Sequence, residues 1–86
     1  MEIIFKKSFI KQYAKLKKPD QRKVDQTLEK FEEDPQHPQL KNHALIGKLA
    51  EKRAISAGFD LRIIFELQGE YLVVTMISVG SHSQVY

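Results

Sequence analysis

The nine residues Tyr71-Leu72-Val73-Val74-Thr75-Met76-Ile77-Ser78-Val79 are the most apolar run in the chain, and they are apolar at odd and even positions alike. A strand with two apolar faces suits a central position in a sheet, with neighbours on either side. In 86 residues that leaves material for one core, so residues 1–86 read as a single domain. The run stops at Gly80 and is followed by Ser81-His82-Ser83-Gln84-Val85-Tyr86. A titratable imidazole and an aromatic ring are thereby set at the edge of a rigid element.

The β pattern begins at Lys52. Arg53 to Ala57 reads as one strand, Gly58-Phe59-Asp60 as a turn, Leu61 to Leu67 as a second strand, Gln68-Gly69-Glu70 as a hairpin loop and Tyr71 to Val79 as a third, an antiparallel meander. In the second strand Leu61, Ile63, Phe65 and Leu67 share one face. Arg62, Ile64 and Glu66 share the other, which turns Arg62 away from whatever packs on the apolar side.

The first half of the chain is patterned differently. Met1 to Phe5 reads as a short strand and Ser8 as a helix N-cap, after which Phe9, Tyr13 and Leu16 fall at i, i+4, i+7. Lys18-Pro19 ends that helix and opens the next, because proline lacks an N–H donor but is tolerated in a first turn. Val24, Leu28 and Phe31 repeat the spacing up to a stop near Asp34-Pro35. Residues 36–42 are a loop, and Leu40, Leu45, Ile46 and Leu49 are irregularly spaced anchors for the core, with a turn at Gly47. The order β-α-α-β-β-β gives an α+β fold: a small, mostly antiparallel sheet with an N-terminal helical hairpin on one face. Sheet twist leaves the other face concave and open, with Arg62 and the His at the strand end looking into it.

Composition narrows the chemistry. Cysteine is absent, which removes disulfides and thiolate metal sites. The three histidines at 37, 43 and 82 lack a short ligand spacing. Neither Ser81 nor Ser83 sits in a nucleophile elbow. The domain is too small for a sizeable cofactor, and none is expected. No apolar run approaches the ~20 residues of a membrane span and the N-terminus lacks an apolar signal core, so a cytoplasmic protein is expected. The net charge is +3, with eight basic residues and one acid between Lys6 and Lys23. Such a surface is compatible with nucleic acid and equally with a solvated helix face.

His37, between two prolines, reads as a solvated loop residue, and Asp60 also fits a turn cap. What remains coherent among His43, Arg53, Asp60, Arg62, His82 and Tyr86 is RNA cleavage without metal. The ribose 2′-OH attacks its own 3′ phosphate, which calls for a base, an acid for the leaving 5′ oxygen and a cation for the charge on phosphorus. His, Asp and Arg supply those roles, and a terminal Tyr stacks on a base.

Asn42-His43, Gly47, Arg53, Asp60 seven residues later, and the Gly80-Ser81-His82-Ser83 ending with an aromatic four residues after the His resemble the YafQ branch of the RelE/ParE toxin superfamily. The resemblance covers nearly the whole chain. It implies the toxin of a type II toxin-antitoxin pair, a ribosome-dependent mRNA endonuclease held inactive by an antitoxin that wraps it. By position it implies that His43 and His82 are catalytic histidines, Asp60 a catalytic acid and Tyr86 the stacking aromatic. Another family His, four residues before the Asp, is replaced by Ser56. Arg62-Ile63-Ile64-Phe65 and Ile77-Ser78-Val79-Gly80 are similar to RelE itself, whose sites use Arg and Lys.

A mixed site follows from that resemblance. His82 is the general acid, Asp60 or His43 the base, Arg62 with Arg53 or Lys52 the phosphate clamp, and Ser81, Ser83 and Tyr86 substrate contacts. The implied partners are the antitoxin, the ribosome and mRNA. Two other readings compete: a ParE-like inhibitor of DNA gyrase that cleaves nothing, and a degenerate relative that keeps only antitoxin binding.

Overall fold

In the computed structural model, which describes residues 1–86, the apolar C-terminal run becomes strand β5 (Val73–Ser81). It lies between β1 (Glu2–Phe5), to which it is parallel, and β4 (Leu61–Gln68), to which it is antiparallel. Beyond β4 come β3 (Lys52–Ser56) and a two-residue strand β2 (His43–Ala44), giving a five-stranded sheet in the order β1-β5-β4-β3-β2. The fold is α+β with a mixed, mostly antiparallel sheet. Two residues of His43–Ala44 are too short to leave a period-2 signal, so β2 was not expected from the sequence.

Helices α1 (Lys7–Ala14) and α2 (Lys18–Glu33) form the N-terminal hairpin. Their apolar stripes bring Phe9, Val24 and Phe31 onto Ile55, Ile63, Phe65, Val74, Met76 and Val79 of the sheet, with Tyr13, Leu16 and Leu28 packed at the margin. Phe31 and Phe65 are fully buried and meet edge-on with centroids 5.1 Å apart. Each such side chain contributes about 2 kcal/mol of burial. Tyr13 of α1 donates its hydroxyl to the Asp25 carboxylate of α2 at 2.7 Å, tying the two helices together.

Several local expectations change. The cap of α1 is Lys6 rather than Ser8, and the Ser8 hydroxyl instead donates to the Ile77 carbonyl of β5. Ile46 is 90% exposed and anchors nothing, whereas Leu40, at the end of a 3-10 turn (Pro38–Leu40), is fully buried. β5 starts at Val73, because Glu70 and Tyr71 take positive φ and belong to the turn, and it continues through Gly80 and Ser81. A short helix α3 (His82–Val85) follows where no element was expected. The face away from the helices is only partly open: Ala54 and Ile64 are buried there, between the Lys52–Glu66 and Ser56–Arg62 pairs of β3 and β4. No helix is long and apolar enough to cross a membrane.

Candidate active site

β4 pairs with β3 on one side and β5 on the other so that Ser56, Arg62 and Gly80 form a row across three strands. Neighbouring strands lie about 4.8 Å apart, so all three residues belong to one patch on the face away from the helices. An irregularity in β5 makes this possible. Ile64 pairs with Ser78 but Phe65 pairs with Met76, so Ile77 is skipped. Before the bulge the even residues Val74 and Met76 face the core, and after it the odd residue Val79 does. One extra residue therefore reverses the inside-outside alternation and brings the Gly80 end of the strand onto the Arg62 face.

Arg62 is fixed by neutral oxygens. Its Nη1 lies 3.4 Å from the Ser56 hydroxyl, 3.3 Å from the Gly58 carbonyl and 3.0 Å from its own neighbour's carbonyl at Leu61. Ser56 in turn donates to the Gly58 carbonyl at 3.0 Å. The one ion pair within 4 Å in the molecule is Lys52–Glu66, so no carboxylate neutralises the guanidinium. A half-buried, unpaired cation held in place is suited to an anion.

At the same end of the sheet, pairing of Leu61 with Ser81 brings Asp60 and His82 together across 22 residues of sequence. The Asp60 carboxylate accepts the main-chain N–H of His82 at 3.5 Å. Ser81 and Gln84 form a reciprocal capping box, the Ser81 hydroxyl accepting the Gln84 N–H and the Gln84 side chain accepting the Ser81 N–H. It closes α3 into one turn and sets His82 and Tyr86 edge to face, centroids 4.3 Å apart. Burial raises the Tyr86 phenol above its ordinary value of 10.0, and the nearby Arg62 charge offsets part of that rise. Tyr86 therefore stays neutral at physiological pH and offers a ring and an O–H, not a charge.

The remaining residues singled out from the sequence lie further off. His43, on the edge strand β2, is cross-strand neighbour of Ala54 and so shares the Arg62 face. Its Nδ1 is 2.8 Å from the Lys41 carbonyl, which can only accept, leaving Nε2 as the free acceptor. Lys52 is on this face but engaged with Glu66 at 3.0 Å. Arg53 pairs with Phe65 and so belongs to the opposite face, where its Nε donates to Asn42 at 2.8 Å. Asn42 also donates to the Pro35 carbonyl and the Tyr71 hydroxyl, which makes Arg53 part of a loop brace. Ser81 is engaged in the cap, with the Ser83 hydroxyl 3.3 Å from its own.

Sequence reasoning passed over Lys23, Lys30 and Lys41. Together with Arg62 and Ser56 they line an open hollow of about 620 Å³ between α2 and the end of β3. No periodicity marks them, because they converge from a helix, a loop and a strand. The Ser81-to-Gln84 spacing, a capping-box pattern, was the one available signal for α3.

The family model described as "Bacterial toxin of type II toxin-antitoxin system, YafQ" matches residues 1–86. The structure of YafQ from E. coli strain BL21(DE3) superposes with a TM-score of 0.83 at 17% identity, covering 99% of this chain and 97% of that one. YafQ in the E. coli DinJ-YafQ toxin-antitoxin complex gives 0.75 at 19% identity, covering 99% and 96%. A YoeB/ParE toxin from Agrobacterium tumefaciens gives 0.77 at 15% identity, covering 95% and 99%. No curated protein matches the chain in sequence.

Proposed function

The chain belongs to the YafQ family, bacterial toxins of type II toxin-antitoxin systems, and on that premise we propose that it is a ribosome-dependent mRNA endoribonuclease working by acid-base catalysis. The observation that carries this reading is the juxtaposition at one sheet end of an unpaired Arg62 guanidinium with the Asp60–His82 contact. His82 donates the proton to the departing 5′ oxygen, and Arg62 stabilises the charge that builds on the phosphoryl oxygens. Asp60, accepting the His82 main-chain N–H, holds the acid in position.

His43 takes the 2′-OH proton through Nε2. Strands β2 and β5 are three strand spacings apart, about 14 Å, with β4 and Arg62 between them. His43 shares a cross-strand row with Ala54, Ile64 and Ser78, two residues from the Arg62 row, and His82 follows Ser81 on the other side of that row, so in this scheme the two histidines act from opposite sides on a phosphate held at Arg62, as an in-line displacement requires. Tyr86 packs on a neighbouring base. The reaction moves the 2′-hydroxyl proton to His43, forms a bond from the 2′ oxygen to phosphorus, breaks the bond to the 5′ oxygen and returns a proton to that oxygen from His82. Its products are a 2′,3′-cyclic phosphate and a 5′-hydroxyl.

End chemistry tests the scheme. RNA recovered from a translation reaction containing the toxin is expected to accept label from polynucleotide kinase without prior phosphatase treatment. Ends that need phosphatase first would mean hydrolysis by water at phosphorus instead. The partner on this reading is an antitoxin, as DinJ is for YafQ in E. coli. The exposed side chains of Ile4, Phe5 and Ile10 beside Lys6, Lys7 and Lys11 suit an acidic, partly disordered segment that folds on binding.

A further inference from the structure

Phe59 is 99% exposed, more than any other large apolar side chain of the molecule. It stands at the tip of the turn between β3 and β4, and that turn is pinned. Ala57 N–H donates to the Leu61 carbonyl at 2.9 Å, and the Gly58 carbonyl accepts from both Ser56 and Arg62. Gly58 has φ +145, and a Cβ there would stand 3.3 Å from the Lys23 stem, so the side chain of Lys23 lies along the turn. A rigidly presented, fully solvated phenyl ring contributes nothing to the core.

Two open hollows flank the ring, one of about 620 Å³ and one of about 470 Å³, and both Phe59 and Lys23 line each of them. Around them stand six cations, Lys15, Lys17, Lys23, Lys30, Lys41 and Arg62, against two carboxylates, Asp20 and Asp60. None of the six is in an ion pair. Cations on either side of an isolated aromatic face match a ligand with negative charges at intervals and a flat π surface between them. The other apolar residues lining the two hollows are Leu40, Ala57 and Leu61, which are buried, and Leu16, which is partly buried against the core, so they form no exposed apolar row. A peptide helix or strand docks through a row of apolar anchors, which this surface lacks. A single ring suits a stacked base.

We propose that Phe59 and the two basic hollows form a track for single-stranded RNA, with one base stacked on the Phe59 ring and the flanking phosphates held by Lys23 and its neighbours. Phenylalanine has no donor or acceptor for base edges, so the contact is indifferent to sequence. The track extends the proposed cleavage site, sharing Asp60 and Arg62 with it. It rests on the ribonuclease reading only for where the strand comes from, which is either the translated message or ribosomal RNA.

The test is fluorescence anisotropy with a labelled single-stranded RNA oligonucleotide, made in the His82→Ala background so that binding is read without cleavage. Phe59→Ala should weaken binding about tenfold, Phe59→Tyr should restore it, and Lys23→Gln should reduce the slope of log affinity against log salt by about one. Unchanged affinity in Phe59→Ala overturns the proposal. So does unchanged RNA binding with weakened antitoxin binding, which would make the ring a protein contact. With ribosomes as the ligand, weakening only when message is present assigns the strand to mRNA, and weakening with empty ribosomes as well assigns it to ribosomal RNA. Loss of cleavage end chemistry in the active parent with the Phe59 effect intact would sink the ribonuclease reading and leave the track standing.

Discussion

Ser56 occupies a position where the YafQ resemblance implies a catalytic histidine, and the structure gives its hydroxyl a different task. It receives an Arg62 N–H at 3.4 Å and donates to Gly58, so it steers the guanidinium and braces the turn that carries Phe59 and Asp60. Ser56→Ala is expected to lower the cleavage rate roughly two- to tenfold, the worth of one positioning hydrogen bond, while leaving the melting temperature within a few degrees. His82→Ala should lose about 10² to 10⁴ in rate. A substrate with sulfur in place of the leaving 5′ oxygen departs without needing a proton, so it should restore cleavage by His82→Ala and fail to do so for His43→Ala. Rescue of both variants, or of neither, would reassign the general acid.

At the scale of elements, α3 and the β5 bulge decide where the proposed site lies. Gly80 is buried, and a Cβ there would stand 2.8 Å from Gln84 Oε1 and 3.3 Å from Gln84 Cβ, so Gly80→Ala pushes the capping box open. Its expected cost is about 1–2 kcal/mol of stability together with a loss of cleavage, since His82 and Tyr86 are carried on that turn. The helical hairpin has its own probe. A hydrogen bond to the Asp25 carboxylate, then burial, then the carboxylate's charge raise the Tyr13 phenol above 10.0. A raised phenol favours the folded state fully below the unfolded value near 10, and that contribution disappears as pH climbs through the folded value. Spectrophotometric titration should therefore show Asp25→Asn shifting one tyrosine to lower pH. The long periodic elements were legible in the sequence: α2 begins at Lys18 and stops at Asp34 as Pro19 and Pro35 dictate, and Arg62 faces away from Phe65 as alternation requires. The bulge at Ile77 was not, because a skipped residue leaves the composition of a strand unchanged while reversing everything after it. Nor was the separation of Arg53 from Arg62, which depends on register against β4 rather than on spacing along the chain.

Across the whole molecule, a single helix-on-sheet core supports the proposed site at one end of the sheet. Phe31 is fully buried against Phe65 and Tyr71, and Phe31→Ala should cost about 3–5 kcal/mol, a large share of what an 86-residue domain possesses. Thermal unfolding followed by circular dichroism is expected to show that variant melting far below the parent. For the proposed site, the meeting of His82, Asp60 and Arg62 at one end of the sheet was foreshadowed by motif and strand alternation. The basic hollow formed by Lys23, Lys30 and Lys41 became visible only once α2, the loop before β2 and the end of β3 were brought together. The most direct test of the account is primer extension on a message undergoing translation, with the parent chain compared with His82→Ala and Arg62→Ala at matched folded concentration. Discrete breaks within the translated region are expected for the parent, with their loss in both variants. Intact message with the parent, particularly alongside inhibited DNA supercoiling, would contradict it.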